Sequence, residues 1–257
     1  MPRPAARSAA RLSLLVGGVV MAGTVLTGCG SADLSEVEPE QRTFALSGRT
    51  LTVDTDDSEI ELVPGEGKDV KVTRWFDGWS LGGSTKTTWA MEKDTLKLRQ
   101  RCDGIGVDCK GKHRIEVPRG VTVVVEDENG GVTSRGIKGN LRLSSDSGDI
   151  DVRDADGRLE LSSENGDVVA EQGIDSRNLA VRSENGDIRL RTARVPDAVR
   201  AESESGSVTV KLPKGTYRTD AESDSGRTRV DVPRSASSPH TVRVRSEYGD
   251  VTVRTAS

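Results

Sequence analysis

Carboxylates recur at fixed places in the second half of this chain. Asp146, Glu164, Glu184, Glu204, Asp224 and Glu247 each follow a serine and stand two residues before a glycine, and Asp149, Asp167, Asp187 and Asp250 come directly after that glycine. Oxygen-rich rows of this kind can bridge a hard cation such as Ca²⁺, and paired carboxylates can cleave glycosidic bonds. The same residue types also do ordinary turn chemistry. Ser and Asp bond to nearby backbone, Asn and Gly adopt positive φ, and exposed carboxylates point into water. The nine-residue Gly-Gly-x-Gly-x-Asp repeat of calcium-binding β-rolls is absent. Acids occur in every repeat, so no catalytic pair stands out. His113 and His240 are the only histidines, and neither a Gly-x-Ser-x-Gly elbow nor a phosphate-binding loop is present. The reading is therefore turn chemistry, with no catalytic residue, no metal site and no cofactor. Arg142, Arg153, Arg182, Arg189, Arg191, Arg227, Arg229, Arg243 and Arg245 share the polar faces and are expected to neutralise acids on adjacent strands.

The elements that position these acids follow from their spacing. The tips are Ser145-Asp146-Ser147-Gly148, Ser163-Glu164-Asn165-Gly166, Ser183-Glu184-Asn185-Gly186, Ser203-Glu204-Ser205-Gly206, Ser223-Asp224-Ser225-Gly226 and Ser246-Glu247-Tyr248-Gly249, with glycines 18, 20, 20, 20 and 23 residues apart. Asn129-Gly130 is a degenerate earlier copy, 18 residues upstream of Gly148. Short period-two strands flank each tip, as in Leu141/Leu143 before and Ile150/Val152 after, and Pro196, Pro213 and Pro233 mark far corners. An antiparallel meander and a β-solenoid both suit alternating strands. Equal coil length and identical corners favour the solenoid, whose corners stack about 4.8 Å apart. The expected fold is all-β, a parallel β-solenoid of roughly 20-residue coils with an N-terminal β-rich cap region.

That cap region, residues 44–113, precedes solenoid repeats over 114–257. Thr50 to Asp54, Glu59 to Val63 and Asp69 to Arg74 alternate as strands, separated by Asp56-Asp57-Ser58 and Pro64-Gly65-Glu66-Gly67. Trp75, Phe76, Trp79 and Trp89 lie beside Gly78, Gly82 and Gly83, either as a partner contact or as the cover of the open coil end. Cys102 and Cys109 flank a glycine-containing loop and are expected to form a disulfide. A Cys/Cys/His site with His113 is the metal alternative.

Residues 1–28 have Arg3, Arg7 and Arg11 followed by an apolar run from Leu12 to Leu26, which reads as a cleaved targeting segment. Leu26-Thr27-Gly28-Cys29 resembles the bacterial lipobox, which implies that Cys29 is lipidated and the chain held outside the cytoplasm at the cell membrane. Residues 29–43 then read as a flexible linker. Cleavage changes the formal charge from -4 to -7, and cations are interleaved with acids throughout, so nucleic acid is excluded as a partner.

The strand-Pro-Gly entry at Ile115–Gly120, Asn129-Gly130 and the serial Ser-Glu-Asn-Gly-Asp copies resemble an adhesin-like domain-of-unknown-function family of bacterial envelope proteins. That resemblance implies a short parallel β-helix over roughly residues 45–255 and supplies no catalytic residues. The aromatic insert and the Cys102/Cys109 loop depart from it. The expected function is a lipid-anchored binding or scaffold module contacting an envelope protein or cell-wall glycan. A β-helix lyase or glycosidase, and an envelope-stress sensory lipoprotein, are the alternatives.

Overall fold

Alternating apolar and polar residues give every repeat two short strands, one on each side of a tip. The computed structural model describes residues 33–256; the expected leader 1–28 and Cys29 lie outside them. The strands are β1 (Glu40–Phe44), β2 (Thr50–Thr55), β3 (Ser58–Pro64), β4 (Val70–Glu92), β5 (Thr95–Val117), β6 (Thr122–Asp127), β7 (Val132–Arg135), β8 (Leu141–Ser145), β9 (Ile150–Arg153) and β10 (Leu159–Ser163). They continue as β11 (Val168–Ile174), β12 (Asn178–Ser183), β13 (Ile188–Thr192), β14 (Ala198–Ser203), β15 (Val208–Leu212), β16 (Arg218–Ser223), β17 (Thr228–Asp231), β18 (Thr241–Ser246) and β19 (Val251–Thr255). The fold is all-β, with no helix among the described residues.

Each coil places one strand on a first face and the next on a second. Parallel pairing joins the start of β5, then β2, β6, β8, β10, β12, β14, β18 and β16 into the first face. The end of β5, then β3, β7, β9, β11, β13, β15, β19 and β17 form the second. Register is strict through the middle, with Leu159 opposite both Leu141 and Leu179. A one-residue slip would turn the apolar set outward. The core is correspondingly regular. Leu141, Leu143, Leu159 and Leu161 from one face meet Ile150, Val152, Val168 and Ala170 from the other, all buried.

Spatial order departs from chain order at both ends. The coil β18–β19 sits between β14–β15 and β16–β17, although β16–β17 precedes it in sequence. Inward positions explain the exchange. Coil β16–β17 offers Thr219, Ala221, Thr228 and Val230, whereas β18–β19 offers Val242, Val244, Val251 and Val253, all buried. The more polar coil occupies the end, and Arg218, Asp220, Glu222, Arg229 and Asp231 give its free edge charges that discourage further pairing. The crossover that permits this is held by Tyr217, which is wholly buried and donates its hydroxyl to the Pro213 carbonyl at 2.8 Å.

At the other end the coil β2–β3 lies between β5 and β6–β7. The repeat therefore extends upstream of residue 114, to Thr55-Asp56-Asp57-Ser58, which takes the place of a tip. This corrects the boundary between a cap at 44–113 and a solenoid at 114–257. The sequence signal was hidden because Ser58 stands where the other tips have glycine. Its side chain is accommodated because its neighbour on the adjacent strand is Gly111. The stretch read as a linker up to residue 43 is also shorter than expected, since β1 begins at Glu40 and pairs antiparallel with β4. Glu40 is fixed there by Arg74, 2.8 Å away.

Deleting residues 240–257 removes the penultimate coil β18–β19 and leaves β16–β17 without the rung they pair on, so the loss in the urea m-value should correspond to two coils. A loss of one coil's worth would contradict the exchanged order.

Candidate functional site

The tips are built on serine. Ser145, Ser163, Ser183, Ser203 and Ser246 are each at most 4% exposed, and each hydroxyl donates to a glycine carbonyl one rung away: Ser163 to Gly148 at 2.9 Å, Ser183 to Gly166 at 3.0 Å, Ser203 to Gly186 at 2.9 Å and Ser246 to Gly206 at 2.8 Å. In several tips the same oxygen accepts the amide of its own glycine, as at Gly206 and Gly249. The glycines are not at positive φ, contrary to expectation. They are glycine because a methyl group at Gly148 or Gly186 would overlap the carbonyl of the glycine beneath, Gly130 or Gly166. Tip backbones also keep bonding between rungs, Glu184 N to Ser163 O at 3.1 Å and Asn185 N to Glu164 O at 2.8 Å.

The carboxylates divide into two rows with different roles. In the row after the glycines, Asp149 accepts the Asp167 amide at 2.8 Å, Asp167 accepts that of Asp187 at 2.9 Å, and Asp187 accepts that of Ser207 at 2.9 Å. Arg189 bridges Asp167 at 2.7 Å and Asp187 at 3.3 Å. The Arg227 amide and then its side chain hold Asp250 below the usual carboxylate range. Stacked like charges are thus relieved by amides and guanidiniums. In the tip row, Arg182 pairs with Glu204 at 2.9 Å and Glu184 at 3.6 Å, while Asp146, Glu164, Asp224 and Glu247 make no ion pair among the described residues. Among the described residues no group of three or more His, Cys, Asp or Glu side chains converges as a metal site.

The four aromatic candidates are not one cluster. Trp89 and Phe44 meet edge to face at 6.2 Å, Arg74 lies 4.3 Å over the Trp89 ring, and His113 packs at 6.4 Å, so this group covers the coil end beside Leu96 and Ile115. Burial, and then the Arg74 charge, push His113 down to about 4. Trp75 is half-buried, with Arg114 at 5.8 Å from its ring. Phe76 lies within reach of the Gly78 backbone. Trp79 belongs to a different surface. Residues 95–98 of β5 join the first face and 111–117 the second, so 99–110 span a gap that the adjacent tip crosses at Asp56-Asp57. With β4 they form a ribbon that folds back at Gly82, Gly104 and Gly106, all at positive φ. The Cys102–Cys109 disulfide staples it. Its fold carries Trp79, Leu81, Ile105 and Val107, the first three 41%, 62% and 78% exposed.

Residues 40–257 match the Toastrack DUF4097 family. The chain belongs to that family. No curated protein matches the sequence. A solved Bacteroides fragilis NCTC 9343 protein named a putative adhesin shares the fold at TM-score 0.50 and 16% identity, over 85% of this chain and 97% of its own. A Clostridium sporogenes ATCC 15579 protein, named a putative cell adhesion protein, aligns at 11% identity and TM-score 0.34, over 85% and 100% of the two chains. One from Parabacteroides merdae ATCC 43184, also named a putative adhesin, aligns at 10% and 0.34, over 86% and 97%.

On the first face of this Toastrack solenoid an open trough of about 530 Å³ crosses several rungs. Its floor is low at Ala180, and Arg158, Arg200, Arg218 and Arg243 stand around it with Asp220. Glu160 holds Arg158 at 2.9 Å, Glu202 holds Arg200 at 2.9 Å and Asp220 holds Arg243 at 3.2 Å, while Arg218 makes no ion pair among the described residues. Sequence reading named Arg243 only as a neutralising partner and passed over Arg158, Arg200 and Arg218. Arg200 and Arg243 share a column with Asp220, and Arg158 and Arg218 fall in a neighbouring one, an arrangement visible only once rungs β10, β12, β14, β18 and β16 are placed side by side in space.

Asp127 stands where later Toastrack tips have serine. It is 4% exposed, one oxygen accepts Ser145 Oγ at 3.2 Å, and Oδ1 has no hydrogen-bond partner among the described residues. Burial pushes its carboxyl up to about 7, against lowering by the Gly130 amide and Ser145. The folded state therefore binds a proton that the unfolded chain has already released, and stability falls as pH rises from about 4 to about 7. Asp127→Ser should abolish that slope and raise the melting temperature at pH 8; an unchanged pH profile would contradict the assignment. Ser183→Ala should cost about 1–3 kcal/mol in urea unfolding and Gly186→Ala more, whereas Glu164→Gln should stay within about 0.5 kcal/mol.

Proposed function

We propose that this Toastrack chain is a lipid-anchored, extracytoplasmic, adhesin-like binding module of the bacterial envelope, and that its first face holds an anionic cell-wall glycan. The arginine trough carries this reading. Arg158, Arg200, Arg218 and Arg243 surround it with a single lining carboxylate, Asp220, and guanidinium forks suit carboxylate and phosphate groups. Rungs locked by the serine contacts hold those forks at fixed spacing, which suits a repeating polymer. The names given to the fold neighbours agree with a surface role. Anchoring rests on Leu26-Thr27-Gly28-Cys29, and lipid attachment would place the solenoid on the outer side of the membrane.

Two measurements test it. Cys29→Ala should release the protein from washed membranes, and retention without detergent would overturn the anchor. In co-sedimentation, the full chain should bind purified anionic wall polymer in a salt-sensitive manner, and Arg200→Ser/Arg218→Ser/Arg243→Ser should weaken this at least about tenfold, equivalent to about 1.4 kcal/mol. Equal binding of a neutral glycan, or unchanged binding by the triple variant, would overturn the ligand class.

A further inference from the structure

Among the described residues no element covers the apolar fold of the β4–β5 ribbon. Trp79, Leu81, Ile105 and Val107 lie within a few residues of one another across paired strands, Leu81 opposite Ile105 and Trp79 opposite Asp108. Nothing in the coil requires it. The neighbouring tip crosses the same gap with two residues where the ribbon spends twelve. Three glycines at positive φ let the backbone fold back there, and one disulfide ties β5 across the fold. Such a patch on an exposed segment marks an interaction surface.

The path of the N-terminal segment says which surface. The Asp33 amide donates to Asp77 Oδ2 at 2.8 Å, and Lys110 on the opposite strand lowers the Asp33 carboxyl after the Ser35 backbone and side chain. Residue 33 is thus pinned to the ribbon two residues from Trp79. Cys29 is four residues earlier, and four residues of extended chain span at most about 14 Å. Leu81 is likewise four strand residues beyond Asp77, about 13 Å along the ribbon. Four residues of chain therefore give a lipid on Cys29 enough length to enter the same membrane that the apex would meet.

Among the described residues Lys86 and Lys110 make no ion pair, whereas Arg99 is held by Asp54 and Asp56, Arg101 by Asp103 and Lys112 by Glu61. Two unpaired lysines beside an apolar apex suit the phosphates of a lipid headgroup layer. Tryptophan is the side chain best suited to the interfacial layer.

We propose that the β4–β5 apex inserts into the headgroup layer of the membrane as a second anchor beside the Cys29 lipid. This rests on the lipoprotein reading above. Two attachment points hold a chain far more firmly than one, and they fix the orientation of the solenoid relative to the bilayer, which a single tether leaves free.

The test uses the full chain, processed in its host and purified into vesicles of anionic and zwitterionic phospholipid carrying brominated acyl chains. Trp79 should be quenched. Trp79→Phe should remove most of the quenching, since Trp89 is in the cap and Trp75 is half-buried. Leu81→Asp/Ile105→Asp, at exposed positions that leave circular dichroism unchanged, should remove it while keeping Trp79. Incorporation of a labelled fatty acid at Cys29 reads the anchor separately. Label with unquenched Trp79 overturns the apex contact, as does cross-linking of Trp79 variants to another envelope protein in place of lipid. Quenching without label overturns only the lipid anchor and supports the apex.

Discussion

One contact sets the dimensions of this molecule: a buried serine hydroxyl bonded to the glycine carbonyl of the adjacent rung. It links sequence to architecture directly. The hydroxyl satisfies a carbonyl that parallel pairing leaves free at the corner, and in several tips it also takes the amide of its own glycine. Each such bond contributes about 1 kcal/mol net, but leaving its buried carbonyl unpaired would cost more. Glycine is required because the rungs are close, so serine and glycine in one tip are two halves of the same constraint. Once that spacing holds, the aliphatic rows, the aspartate-to-amide row and the arginine bridges all fall into register.

The polarity of each coil decides where it sits. A solenoid grows by stacking and must end, and an apolar terminal coil would invite a further strand. Exchanging the last two coils puts the valine-lined β18–β19 inside and the charged β16–β17 outside. At the other end β4 pairs antiparallel with β5 and β1 antiparallel with β4, and Phe44, Trp89 and the neutral His113 cover what remains. The two ends solve one problem by different means, and only the aromatic end carries the ribbon.

Much of this was legible in the residues. Period-two alternation around Ser-acid-x-Gly pointed to two strands per coil, and the near-equal spacing to a solenoid. The disulfide between Cys102 and Cys109 followed from their loop and compartment. What could not be read was order in space. Nothing local in Thr241–Thr255 says that it inserts between β14–β15 and β16–β17 rather than stacking beyond them; the reason is a comparison between coils, valines against Thr219 and Ala221. Ser58 in place of glycine hid the first coil, because its fit depends on Gly111, more than fifty residues away in sequence. Among site residues the acids attracted notice by charge, yet the buried serine bears the structural load, and the Arg158, Arg200 and Arg218 surface emerges only from rung alignment. Trp75, Phe76, Trp79 and Trp89 were close in sequence and are distributed by the ribbon between its arms, its apex and the end cap.

The central claim is that the tips are structural joints of the stack, although they are short, polar and at the surface. Amide hydrogen exchange measures this most directly, at Gly148, Gly206, Gly226 and Gly249, whose N–H groups bond to Ser145, Ser203, Ser223 and Ser246. The account predicts that Gly148 and Gly206, in the interior rungs, exchange as slowly as the adjoining strands, through global unfolding. Exchange of these two amides at the rate of exposed loops, with the strands still protected, would contradict it.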